Sequence, residues 1–454
     1  MARARSLSFG AALLAALALG SSAFAQDVTC YVDSQNGNDD RTGLSEAEAV
    51  KSQAKIGSSG STCTAVRYKR GSVFNEAVKI SNKVKSYGNY GDANAPLPKF
   101  VKERSTNSGS IVSAYQGGVT IEGLYMAGSK SDTSMSSLGQ GICVMLGGSS
   151  KLLNNEITEC DIGVMLMGSG TLVQGNYIHD LYVTVDAAPG VDPNAVGGAE
   201  GIFVNGSDNE VAYNTFVNCK NTAEWTGGNC DGGATEVAVG AGGTVSGVKI
   251  HHNFSYNSCG FFEVSSGFGD SKGLFADSEF SYNVMVDTGW MMLLQVNNTD
   301  LSNIRWENNT VVQHQGSTNA GMITTVFTAT SSGMTGGSLA SGAVLMTNNL
   351  IVLDGVRSFG NVIDPNITQT TNLVVDTTQQ DPGLVNLAGT TNPSDFDLLP
   401  TSPAINAGTL LAHLPVDFLN RAVPDPGGLT DVGAFEYGST QVTELPPSSP
   451  VPGS

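Results

Sequence analysis

Apolar and polar residues alternate along the chain in short runs, and no stretch sustains a helical period. What recurs is an asparagine between two short apolar segments: "NNEI", "GNYI", "YNTF", "HNFS", "YNVM", "NNTV", "NNLI" and "TNLV". Its positions are Asn155, Asn176, Asn214, Asn253, Asn283, Asn309, Asn349 and Asn372. Three positions earlier stand Leu152, Val173, Val211, Ile250, Phe280, Trp306 and Met346. Two positions later stand Ile157, Ile178, Phe216, Met285, Val311 and Ile351, with Ser255 the exception. A glycine then opens a third short run, in "GVMLM" at Gly163, "GIFVN" at Gly201, "GFFEV" at Gly260 and "GWMML" at Gly289.

Three short strands per repeat describe a coil of parallel strands. One coil cannot bury its own apolar side chains, but stacked coils share a continuous core. The spacing between asparagines ranges from 21 to 40 residues, as loops inserted at one corner would produce. The asparagines predict a ladder at another corner, each side-chain amide bonding the backbone of the neighbouring coil. A second polar ladder is expected four residues on, at Glu159, Asp180, Asn218, Asn257 and Asp287. A β-sandwich would favour hairpin dipeptides and antiparallel meanders, which this pattern lacks.

Facing follows from alternation. Counted from the glycines of "GATEV" and "GFFEV", the second and fourth residues (Thr235 and Val237, Phe262 and Val264) are expected to point inward. Met165, Met167, Met291 and Leu293 take the same places in neighbouring coils, and these methionines, with Met292, read as packing. The third position then turns outward and sets Glu236 beside Glu263, with Cα atoms about 4.8 Å apart. The loops "LYVTVDAAPGVDPNAVGGAE" and "CKNTAEWTGGNCDGG" deliver Glu200 and Asp231 to the start of that sheet and Trp225 to its rim. Trp290 is expected to face outward on the next coil.

With "YVDSQNGNDDRTG" at Tyr31 and a late "TSPAINAGT" and "DVGAFEY", the chain resembles the right-handed parallel β-helix proteins of the pectate-lyase-like superfamily. The resemblance runs from roughly Val28 to Tyr437 and implies an all-β fold whose cleft lies on the outer face of the third sheet. It also implies stacked carboxylates holding Ca²⁺, here Glu200, Asp231, Glu236 and Glu263, with β-elimination from a uronate polymer. The candidates for the base that removes the proton are Lys220, in the loop before the Asp231 strand, and Lys272, just after the Glu263 strand. An alternative needs no metal: two close carboxyl groups suit retaining glycoside hydrolysis of a neutral glycan, with Trp225 or Trp290 as a stacking platform. A third is a non-catalytic glycan-binding or surface β-helix. His179 leads into the acidic loop and is a further catalytic candidate, whereas Asp180 belongs to the second turn ladder.

Charge and cysteines narrow the setting. The net charge is −19, or −21 without Arg3 and Arg5, and disfavours nucleic acid and anionic membranes as partners. Arg3, Arg5, the apolar run "AALLAALAL" and "AFA" at Ala23 read as a signal peptide over 1–25. A single β-helix domain is expected over 26–437, including a closing segment from about 380, followed by a Pro/Ser-rich tail over 438–454. The expectation is a secreted or periplasmic monomer acting on extracellular polysaccharide. Of seven cysteines, the pairs Cys30–Cys63 and Cys219–Cys230 are the first expected, with an odd thiol left over.

Overall fold

The computed structural model describes residues 27–56, 61–103, 110–129, 141–181, 199–220, 232–265, 272–296, 299–314, 324–327, 339–355 and 363–442. The expected signal peptide, Trp225, Cys230, Asp231 and most of the C-terminal tail lie outside these residues. Among the described residues the strands form three parallel sheets of 13, 11 and 8 strands, and a coil in the middle of the stack adds one strand to each sheet. In one coil, Lys151–Leu153 enters the first sheet, Glu156–Thr158 the second and Ile162–Leu166 the third. The next strand, Leu172–Gln174, returns to pair with Lys151–Leu153. The molecule is a parallel β-helix.

The periodic apolar positions fill its interior. Leu152, Val173, Val211, Ile250, Phe280, Trp306 and Met346 stack down the first sheet, all without solvent exposure. Phe280 and Trp306 lie ring on ring at 4.2 Å, with Phe262 of the third sheet against both. Each such side chain contributes about 1.5–3 kcal/mol by leaving water. Ser255 breaks the apolar series of the second sheet, yet it is buried with its hydroxyl 3.3 Å from that of Thr288.

The asparagine ladder is continuous from Asn155 to Asn372. Each Nδ2 donates to a carbonyl of the preceding coil, as Asn253 does to Val211 O at 2.8 Å and Asn283 to Ile250 O at 2.9 Å. From Asn176 onward each Oδ1 accepts the backbone N–H of the preceding coil's asparagine, as in Asn214 N to Asn253 Oδ1 at 2.9 Å, and Asn155 Oδ1 accepts from Leu124 N at 3.0 Å. These bonds hold a left-handed residue just before the asparagine, including Tyr213, His252 and Tyr282 at φ 55°, 55° and 50°. For such side chains that conformation costs about 1–2 kcal/mol each. The second ladder also forms: Glu159, Asp180, Asn218, Asn257 and Asp287 all have positive φ. Asp180, Asn218 and Asn257 are linked side chain to side chain at 2.7 and 2.6 Å.

Two expectations are corrected, and the closing segment adds a feature of its own. Counting from the glycines misaligns the third sheet, because Gly163 and Gly201 stand opposite Ala234 and not opposite Gly233. Met165 therefore pairs with Phe203 and, through it, Glu236 on the outward row, and Leu293 pairs with Glu263. Met167 is 48% exposed, while Met291 and Met292 are core residues. Among the cysteines, Cys30–Cys63 is bonded, but so is Cys143–Cys160, which spacing had not suggested. Cys219 is a free buried thiol, which rules out a Cys219–Cys230 bond, and Cys259 is disulfide-bonded. Finally, the closing segment does not merely end the stack. It folds back along the second sheet, where Phe396, Leu398, Phe418 and Phe435 pack on Phe254, Val284, Val312 and Val352.

Within "DVGAFEY", Gly433 has φ 100° and donates its N–H to Asn348 O at 2.7 Å. A Cβ there would lie 2.7 Å from Thr310 Oγ1 and 2.9 Å from Leu350 Cβ, so only glycine permits this approach. The next residue, Ala434, donates its N–H to Thr310 Oγ1 at 2.8 Å.

Candidate active site

The strands Gly232–Ala238 and Phe262–Ser265 lie side by side in the third sheet, with Glu236 directly opposite Glu263. Alternation turns both side chains away from the core, since the flanking Thr235, Val237, Phe262 and Val264 are buried. In a parallel ladder this sets their Cα atoms about 4.8 Å apart. Glu263 Oε1 accepts a hydrogen bond from Gln295 Nε2, two residues beyond Leu293 on the next coil. The outward row runs Met145, Met165, Phe203, Glu236, Glu263, Leu293, so two carboxylates sit between apolar flanks.

At the entry to the sheet, Glu200 stands opposite Gly233, three positions before the Glu236 row. It is only 4% exposed and belongs to the wall of the strip more than to its surface. Trp290 is half-buried, and its indole lies across Gly260: a Cβ on that glycine would come within 2.0 Å of Trp290 Nε1. The indole N–H is itself buried without a hydrogen-bond partner.

The other candidates are placed elsewhere. His179 lies on the second sheet, stacked on Tyr177 at 4.0 Å, with Nδ1 2.8 Å from Asp180 Oδ2 and Nε2 3.3 Å from Glu156 Oε1. Burial opposes its charged form, but these two carboxylates prevail and its pKa is raised. Lys272 immediately precedes the first-sheet strand Gly273–Ser281 and pairs with Asp300 at 2.9 Å, both exposed. Lys220 sits at the corner leading toward the third sheet, where its Nζ donates to Asn257 Oδ1 at 2.8 Å. Burial lowers its pKa.

A calcium ion needs several converging oxygens. Among the described residues, Glu200, Glu236 and Glu263 do not bring three ligand atoms together, and Asp231 lies outside them. The described residues that do so are Glu279, Glu307 and His413, where Arg305 already pairs with both carboxylates.

Sequence reasoning missed Phe203 and Gln295. The signal was present in the second polar ladder: Met165, Glu263 and Leu293 each lie six residues after Glu159, Asn257 and Asp287. Counting from that corner, not from the glycines, would have put Met165 and Leu293 on the outward row.

The family model described as "Right handed beta helix region" matches residues 60–231. No curated protein matches the chain. Among solved structures, pectate lyase Pel9A is similar at 15% identity and a TM-score of 0.45, over 90% of this chain and 96% of that one. A GH136 lacto-N-biosidase from Eubacterium ramulus is similar at 15% identity and a TM-score of 0.41, over 69% of this chain. The match spans 66% of that structure, short of two thirds of its length. A rhamnogalacturonan lyase is similar at 13% identity and a TM-score of 0.30, over 85% of this chain and 97% of that one. With its three parallel sheets, the chain is a right-handed parallel β-helix.

Proposed function

We propose that this right-handed parallel β-helix is a carbohydrate-active enzyme that hydrolyses a glycan on the outer face of its third sheet. The observation that carries the reading is the in-register pair Glu236 and Glu263, turned out of the core between apolar neighbours. Two carboxyl groups on adjacent strands suit a retaining displacement, in which one attacks the anomeric carbon and the other protonates the leaving oxygen. Like charges this close favour a shared proton. The Gln295 amide donates to Glu263 and holds that carboxyl in place, which fits the nucleophile. Glu236 stands next to Phe203 and fits the proton donor, returning as base when water attacks the glycosyl intermediate. Phe203 and Trp290 offer flat surfaces for sugar rings. Two disulfides, Cys30–Cys63 and Cys143–Cys160, support action outside the reducing cytoplasm.

Elimination from a uronate polymer is the second reading. It is favoured by Lys220, whose lowered pKa suits a base, although its ammonium is held by Asn257. A panel of neutral and acidic polysaccharides separates the two, read by reducing ends and by the ultraviolet absorbance of an unsaturated product, with and without chelator. Hydrolysis predicts reducing ends without that absorbance, indifferent to chelation. Glu236→Gln and Glu263→Gln should each lower turnover by about 10²-fold or more. Full activity in both variants would overturn the assignment.

A further inference from the structure

The basic residues are not spread evenly. Residues 51–104 contain 11 of the 22 lysines and arginines but only Glu76, Asp92 and Glu103 as acids, a local charge of +8 in a chain of −19. Three of these cations and the two acids Glu122 and Glu156 line an open groove of about 940 Å³ at the corner between the first and second sheets. Arg67, Arg70 and Lys99 line it, far around the coil from the third sheet.

The three cations are fixed in place without being neutralised. Arg67 extends over Gly88, where a Cβ would be 3.5 Å from its Cδ, and its Nη1 donates to Val66 O and Ser86 O at 3.0 and 3.3 Å. Arg70 donates from Nε to Ala95 O at 2.8 Å and from Nη1 to Asn89 Oδ1 at 3.2 Å. These acceptors are all uncharged. Lys99 Nζ lies 4.3 Å above the Tyr125 ring. Glu122 and Glu156 lie two strands further along the same rungs as Arg67 and Lys99 and are engaged by Asn154 at 3.5 Å and by His179 at 3.3 Å. Among the described residues, no carboxylate is paired with Arg67, Arg70 or Lys99.

We propose that this groove is a second carbohydrate-binding site, separate from the Glu236/Glu263 strip, that holds a chain of carboxylated sugars. Pre-positioned guanidinium groups present paired N–H donors matched to carboxylates. The cations follow one another around the corner, from the first-sheet strand Ala65–Lys69 to the second-sheet strand Lys99–Glu103, as the repeated charges of a linear polymer require. The groove volume exceeds what a single sugar needs. Such a site offsets the repulsion that the acidic remainder of the chain exerts on an anionic polysaccharide, and tethers the enzyme to a matrix that contains one.

The test is direct binding of polygalacturonate, and of the same polymer with its carboxyls methyl-esterified, to the full chain at low and high salt. The acidic polymer should bind, weaken with salt, and far exceed the ester. Arg67→Gln with Arg70→Gln should lower affinity about tenfold or more. Lys99→Gln, at a partly exposed position, should also lower affinity, with the fold confirmed by an unchanged circular dichroism spectrum. Glu263→Gln should bind the polymer as the unsubstituted chain does, so failure of the hydrolase reading leaves this result intact. Equal binding of the ester, or unchanged binding by the groove variants, overturns the proposal. So does sedimentation showing a dimer that the groove variants dissociate, since the occupant would then be the acidic surface of a second copy.

Discussion

The outer faces of the second and third sheets are built from the same kind of short strand, yet they have opposite fates. On the second sheet, one outward row begins with Glu156, Tyr177 and Thr215 and becomes Phe254, Val284, Thr310 and Leu350 further along. The change falls where the closing segment begins to cover the sheet, with Tyr213 hydroxyl donating to Asn420 Oδ1 at 2.8 Å and His252 Nε2 2.9 Å from Asp417 O. The third sheet keeps a mixed row of methionine, phenylalanine and glutamate with no such cover among the described residues. Strands buried on both faces read as continuous apolar runs, and a face kept for a ligand does not.

The sharpest way to break this comparison is to truncate one residue on each face. Phe435 is 1% exposed in the cluster over the second sheet, and Phe435→Ala should cost about 3–5 kcal/mol of stability by leaving a cavity. Met165→Ala, on the open row, should cost less than about 1 kcal/mol. Chemical denaturation followed by circular dichroism measures both. Equal losses would mean that the third sheet is as thoroughly packed as the second.

Much of this architecture is legible in the residues themselves. The asparagines and the apolar positions three before and two after them set the coil, because a stacked amide ladder and a shared core impose strict spacing. The pairing of Glu236 with Glu263 could be read because no loop intervenes between the turn at Asn257 and Glu263. Facing on the earlier coils could not be read from glycine, since Gly163 and Gly201 are set by the close approach of the interior, where a Cβ would meet Ile178 and the Phe216 ring at 3.0 and 2.8 Å. Nor could the lateral route of the closing segment, which depends on contacts such as Asn308 Nδ2 to Asp431 O, more than 120 residues apart. The pairing of Cys143 with Cys160 likewise follows from coil stacking, which brings their Cα atoms to 5.8 Å.

Covering a polar chain segment leaves acids inside, and pH should expose the difference between the faces. Glu436 lies within the closing segment at 1% exposure, and burial, reinforced by nearby Asp431 and Asp417, raises its pKa to about 8. Asp417 and Asp431 are shifted upward as well, chiefly by burial, even though Arg421 pairs with Asp417 at 2.7 Å. A carboxyl raised in the folded state keeps a proton that the unfolded chain has already released. Its contribution is therefore fully present below the usual carboxylate range and is lost as pH rises toward about 8. Stability should fall by a few kcal/mol (roughly 2–4) across that interval. Glu436→Gln should flatten the decline, read as melting temperature against pH. A wild-type profile that rises through the interval would show that Glu436 is ionised throughout.

The smallest effect tests what the open face is for. Phe203 lies on the outward row beside Glu236, partly exposed, so its ring is neither core packing nor fully wet surface. Phe203→Ala should change stability by no more than about 1 kcal/mol, as for other substitutions away from the core. If the ring is a platform for sugar, its loss should nevertheless weaken substrate by about 1 kcal/mol, or roughly fivefold in apparent affinity, with turnover at saturation nearly unchanged. Phe203→Tyr should restore affinity, since it keeps the aromatic face. A stability loss comparable to that of Phe435→Ala would instead place Phe203 among the packing residues, and the row would then differ from the covered sheet only in its two glutamates.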